Sequence, residues 1–148
     1  MPACRRQKEM SLIMNQTIPM PDPQGAHEYF HRKIYYSTGP VELSHALDAH
    51  ENINVVDVRE AEDFQKGHVP GSVNLPRDRW ASHEGLRKDV PNVLLCYSQA
   101  CHLAAKAGHD FAKAGFPVLE MDGGWAAWQE NELPAEKGQA SRATSLQQ

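Results

Sequence analysis

Val93-Leu94-Leu95-Cys96 is apolar throughout and runs, through one short loop, into the helix-patterned stretch His102-Leu103-Ala104-Ala105-Lys106-Ala107. A strand with no polar alternation suits a sheet covered on both faces. Ile53-Asn54-Val55-Val56-Asp57-Val58 is a second such run, rich in β-branched residues. Further short strands are expected at Ser72-Val73-Asn74-Leu75 and Pro117-Val118-Leu119-Glu120, with helical stretches between. Strands alternating with helices specify an α/β fold, a parallel sheet with helices on both faces. In such sheets ligands bind beyond the carboxyl ends of the strands, where Cys96 stands.

The remaining elements follow from local pattern. Gly25 to Lys33 reads as a short helix anchored by Tyr29-Phe30, and Ile34-Tyr35-Tyr36 as an edge strand. Thr38-Gly39-Pro40 opens a helix, with proline near its first position. Val41, Leu43, Ala46 and Leu47 are its expected buried face. Arg59 to Phe64 starts an acidic helix, carboxylates in the first turn as the helix dipole favours. Gly67 to Gly71 is a turn, and Arg77 to Leu86 loop and broken helix. Leu103, Ala107, Phe111 and Ala114 recur at helical spacing before Gly115. Gly123-Gly124 leads into a last helix carrying Trp125 and Trp128.

The 148 residues suffice for one domain with a sizeable core. Residues 1–23, punctuated by Pro19, Pro21 and Pro23, are expected to be a flexible arm, 24–134 the domain, and 135–148 a flexible tail. The net charge of −4 gives no reason to expect nucleic acid or an anionic membrane as partner. No apolar run approaches the roughly 20 residues of a spanning helix. Leu12-Ile13-Met14 is too short for the apolar region of a signal peptide, so a cytoplasmic protein is expected.

Three cysteines, an odd number, do not form a disulfide framework or a paired zinc motif. Cys4 sits in the arm and reads as incidental. Cys96 and Cys101 bound a six-residue loop. Loop N–H groups and the following helix N-terminus would favour a thiolate at Cys96. Tyr97, Ser98, Gln99, Ala100 and His102 are the expected surroundings of the sulfur, with a hydroxyl hydrogen bond from Ser98 in reach. Cys101 is either a resolving thiol or a small residue filling the first helical turn. His102 either adds charge to the loop or is solvated. Asp57 and Arg59 read as structural, and His68 as part of a turn that sets fold geometry. Trp80 and Trp125 either wall the pocket or pack in the core. His27 and His31 share a helix face, but no third ligand is placed with them, so no metal and no cofactor are expected.

Several segments together resemble a rhodanese homology domain: Val56-Asp57-Val58-Arg59-Glu60, then Gly67-His68-Val69-Pro70-Gly71-Ser72-Val73-Asn74-Leu75-Pro76, the cysteine loop, Ala114-Gly115-Phe116, and Asp122-Gly123-Gly124-Trp125-Ala126-Ala127-Trp128. The resemblance covers roughly residues 35–133. It implies a three-layer α/β/α domain with a parallel sheet of about five strands. It implies a sulfurtransferase that carries sulfane sulfur as a persulfide on Cys96, between a small-molecule or protein donor and a thiol acceptor. A six-residue loop suits sulfur transfer, whereas seven-residue relatives are phosphatases. Many active members end the loop with arginine followed by Ser or Thr; here Cys101 and His102 stand there, and Gln99 replaces a loop glycine. That departure implies a loop less adapted to thiosulfate, since an arginine would help hold the dianion. Two other activities fit the same residues: thiol-disulfide redox cycling of Cys96 with Cys101, and a non-catalytic regulatory domain.

Overall fold

The computed structural model describes Arg6, Gln7, Met10 and residues 17–140. Cys4 and most of the expected arm lie outside these residues. The chain divides into two units, residues 1–33 and 34–148.

Helix α1 spans Pro23–Tyr36. Pro23 opens it with a preset φ, and the Asp22 carboxylate accepts from the Gly25 N–H at 2.7 Å. With the start fixed there, Ile34-Tyr35-Tyr36 completes the helix instead of forming the expected edge strand. Edge strand β1 is Ser37–Thr38, just beyond it. Tyr29 and Phe30 are not core anchors: they are 60% and 55% exposed.

In the second unit, α2 (Pro40–Asp48), β2 (Asn54–Asp57), α3 (Ala61–Lys66) and β3 (Val73–Asn74) follow in order. A 3-10 helix at Arg77–Ser82 precedes β4 (Asn92–Leu95), α4 (Leu103–Lys113), β5 (Val118–Met121) and α5 (Gly124–Glu130). The five strands form one sheet, ordered β1-β5-β4-β2-β3, every pair parallel. On α2, Val41 is 39% exposed and Ser44 is buried beside Leu43. Leu43, Ala46 and Leu47 share a face at i, i+3, i+4; Val41 is two residues from Leu43 and so points elsewhere.

Strand alternation divides the core in two. Val56, Leu94 and Cys96 face α4, packing with Val58, Ala107 and Phe111. Val55, Val93 and Leu95 face the other way, with Leu43, Met121 and Trp128. Cys96 continues the alternation of β4 onto the α4 side, which fixes where its sulfur points.

Of the expected tail, Glu136 pairs with His68 through two backbone hydrogen bonds of 2.9 Å, and the Gly138 N–H reaches Gln65 O at 2.8 Å.

Candidate active site around the Cys96 loop

The loop hangs between α4 and α5. The Cys96 and Tyr97 carbonyls accept hydrogen bonds from the Trp125 and Ala126 N–H groups at 2.8 and 2.9 Å. Those N–H groups belong to the first turn of α5, which has no partners within its own helix. The contact requires a glycine at 124. Its φ is +60°, and a Cβ there would stand 2.6 Å from Cys96 O and 2.8 Å from Ser98 N. Within the loop, the Cys101 N–H donates to Ser98 O at 3.1 Å, closing the turn that feeds α4.

Tyr97 ties the loop to α3. Its hydroxyl donates to Asp63 Oδ2 at 2.6 Å and accepts from the Glu60 N–H at 3.1 Å. Burial, reinforced by the Asp63 carboxylate, raises the phenol above its ordinary pKa. The Tyr97 ring braces the loop from outside, while its N–H acts on the Cys101 sulfur.

Beneath lies a buried ion pair. Arg59, 2% exposed, bonds both carboxylate oxygens of fully buried Asp57, Nη2 to Oδ2 at 2.8 Å, and donates to Gly67 O at 2.6 Å. Its guanidinium lies 4.8 Å from the Trp125 ring centroid and 5.8 Å from that of Tyr97. Arg59 thus joins β2, the 67 turn, the cysteine loop and α5. Burial pushes the Asp57 carboxyl up, against the pull of Arg59.

Cys96 is 3% exposed. Its Sγ lies 3.5 Å from Cys101 O and 3.9 Å from Ser98 O. Backbone groups, not the Ser98 hydroxyl, make these contacts. Burial raises the Cys96 thiol above the ordinary cysteine range; the Ala104 and Ser98 N–H groups pull it down, and Cys101 pushes it up by hydrogen bond and charge. The loop's N–H groups and the helix N-terminus predict a depressed pKa here. The N–H groups are present, but the sulfur sits in the core and beside another sulfur, and those effects win.

Cys101 is half-buried. Burial pushes it up, yet the Leu103 N–H, the Cys96 thiol, the Tyr97 N–H and the charge of Lys106 outweigh burial and hold it below the ordinary range. The Cys96 thiol donates to the Cys101 carbonyl oxygen, and the two thiols shift in opposite directions. Gln99 and Ala100 are exposed at the loop tip, Ser98 is half-buried, and His102 is exposed. Lys106 was not singled out from the sequence; its place one helical turn beyond His102, near the start of α4, was the available signal.

The sequence of residues 40–131 matches the family described as Rhodanese-like domain. The chain belongs to this family. It is 31% identical over 106 residues to the thiosulfate sulfurtransferase GlpE of Pseudomonas putida (strain GB-1), covering 69% of this chain and 92% of that protein. It is 36% identical over 90 residues to the HTH-type transcriptional regulator Rv0324 of Mycobacterium tuberculosis, covering 58% of this chain but only 38% of the regulator. The crystal structure of the BH2092 protein from Bacillus halodurans superposes with a TM-score of 0.73 at 29% identity, covering 84% of this chain and 99% of that one. The rhodanese-like fold accounts for the parallel sheet and for a cysteine loop at the end of β4. Among the described residues, no group of three His, Cys, Asp or Glu side chains is placed to hold a metal, and no helix is long and apolar enough to cross a membrane.

Proposed function

We propose that this rhodanese-like protein is a sulfurtransferase in which Cys96 carries sulfane sulfur and Cys101 assists it. The observation that supports this most strongly is the Cys96 sulfur at the carboxyl end of the central strand, 3.5 Å from the backbone oxygen of Cys101. Cys101, which ionises first, acts as thiolate and takes the Cys96 proton as the Cys96 sulfur attacks the sulfane sulfur of a donor. The donor's bond to that sulfur breaks, its leaving group departs with the electron pair, and a persulfide forms on Cys96. Loop N–H groups, with that of Ala104, stabilise the charged sulfur.

Two fates follow. A thiol acceptor attacks the outer sulfur, taking it and restoring the Cys96 thiolate. Alternatively Cys101, as thiolate, attacks the inner sulfur: hydrosulfide leaves with the electron pair, and a Cys96–Cys101 disulfide forms. An external thiol reductant then regenerates both thiols. The second route is the redox reading of the same pair, supported by the effect each thiol has on the other's ionisation.

The test is sulfur transfer from a persulfide donor to a thiol acceptor. Cys96→Ser should abolish transfer. Cys101→Ser should keep the Cys96 persulfide but lose single-turnover sulfide release without an added acceptor. Transfer that survives Cys96→Ser would overturn the assignment.

A further inference from the structure

A groove of about 390 Å³ opens beside the loop, bounded by Arg77, Trp80, His102, Lys106, His109 and Asp110. The last four share one face of α4 and its N-terminal flank, at spacings of three and four residues. Arg77 comes from the 3-10 helix, its guanidinium 5.7 Å from the Trp80 ring centroid. Trp80 is buried and fixed by its indole N–H, which donates to Leu75 O at 3.0 Å. The groove therefore has a rigid aromatic floor, two permanent cations, and one carboxylate, Asp110, lying 3.2 Å from His109 Nδ1.

This groove is electrically connected to the loop. His102 directly follows Cys101, and the Lys106 charge favours the Cys101 thiolate. The loop itself holds no guanidinium, so cationic charge stands beside the reacting sulfur rather than around it. Next to the loop, by way of His102, the groove offers these cations to the anionic body of a donor whose reactive end is at Cys96. A groove of this volume accommodates an organic molecule of about tripeptide size.

We propose that Arg77 and Lys106 form a docking site for the carboxylates of an organic persulfide, and that this groove makes the protein select such donors over neutral ones. This rests on the reading of Cys96 as sulfur acceptor. In the step concerned, Cys96 thiolate attacks the outer sulfur of R–S–SH. The donor S–S bond breaks as the new one forms on Cys96. R–S⁻ leaves with the electron pair and takes up the proton, and no net oxidation occurs.

The experiment compares the rate of Cys96 persulfidation by glutathione persulfide, which bears carboxylates, with that by the neutral persulfide of 2-mercaptoethanol. The readout is the ratio of the two rates. Wild type should favour the anionic donor, less so as salt is raised. Arg77→Gln and Lys106→Gln should each lower the ratio about two- to fivefold, the range of exposed ion pairs. Asp110→Asn removes the opposing charge and should raise the ratio, a gain that misfolding cannot imitate. Equal ratios in wild type, the double Gln variant and Asp110→Asn would overturn the groove while leaving Cys96 as acceptor. Failure of both donors to modify Cys96 would overturn both assignments.

Discussion

The Cys96 thiol donates a hydrogen bond to the Cys101 carbonyl oxygen at 3.5 Å, and the two cysteines of the loop ionise apart and in an unexpected order. Burial lifts the thiol at the strand end, and the first turn of α4 with Lys106 lowers its neighbour. As pH rises, Cys101 should lose its proton first, below the ordinary cysteine value, and Cys96 later, above it. Iodoacetamide labelling at graded pH, read by peptide mass, should therefore modify Cys101 before Cys96. In Cys101→Ser the negative neighbour is gone, and the Cys96 midpoint should move down from its wild-type position. A Cys96 midpoint that stays or rises in that variant contradicts the coupling.

Arg59 carries four segments on one buried guanidinium. Arg59→Met removes the guanidinium paired with the buried Asp57 carboxylate and should cost about 3–5 kcal/mol, as expected when one partner of a buried pair is deleted. Urea unfolding measures it. The double variant Arg59→Met/Asp57→Leu should recover part of the loss, because the stranded charge is then gone. A loss under about 1 kcal/mol, typical of a surface pair, would show that the pair is not buried in solution.

Gly124 touches the backbone of the cysteine loop. Gly124→Ala should cost about 1–2 kcal/mol from its left-handed φ alone. The new Cβ must also displace Cys96 O or Ser98 N, which moves the sulfur. Sulfur transfer should therefore fall at temperatures where circular dichroism still reports a folded protein. Full activity in a folded Gly124→Ala variant would mean the loop tolerates that shift.

Much of this was legible in the sequence for physical reasons. Apolar runs at 53–58 and 93–96 have one stable solution, a covered parallel sheet, and that solution puts Cys96 at a carboxyl strand end. Ile34-Tyr35-Tyr36 misled because aromatic and β-branched content suits either element; Pro23 and Asp22 set the helix start, and the helix ran on through them. Val41 misled because apolar character was counted without its angle around α2. The pKa order at the site was out of reach, since it depends on which of two sulfurs lies deeper in the core. So was the bracing role of Tyr97, whose partners Glu60 and Asp63 lie 37 and 34 residues away.

The most direct test is the intact mass of the protein after brief exposure to glutathione persulfide under non-reducing conditions, for wild type, Cys96→Ser and Cys101→Ser. Cys101→Ser should gain one sulfur atom, mapped to Cys96. Wild type should gain the same atom and then lose it with two hydrogens as the Cys96–Cys101 disulfide forms, while Cys96→Ser should gain none. A sulfur atom mapped to Cys101 in wild type or in Cys96→Ser, or no adduct on Cys96 in Cys101→Ser, would contradict the assignment of Cys96 as the sulfur carrier.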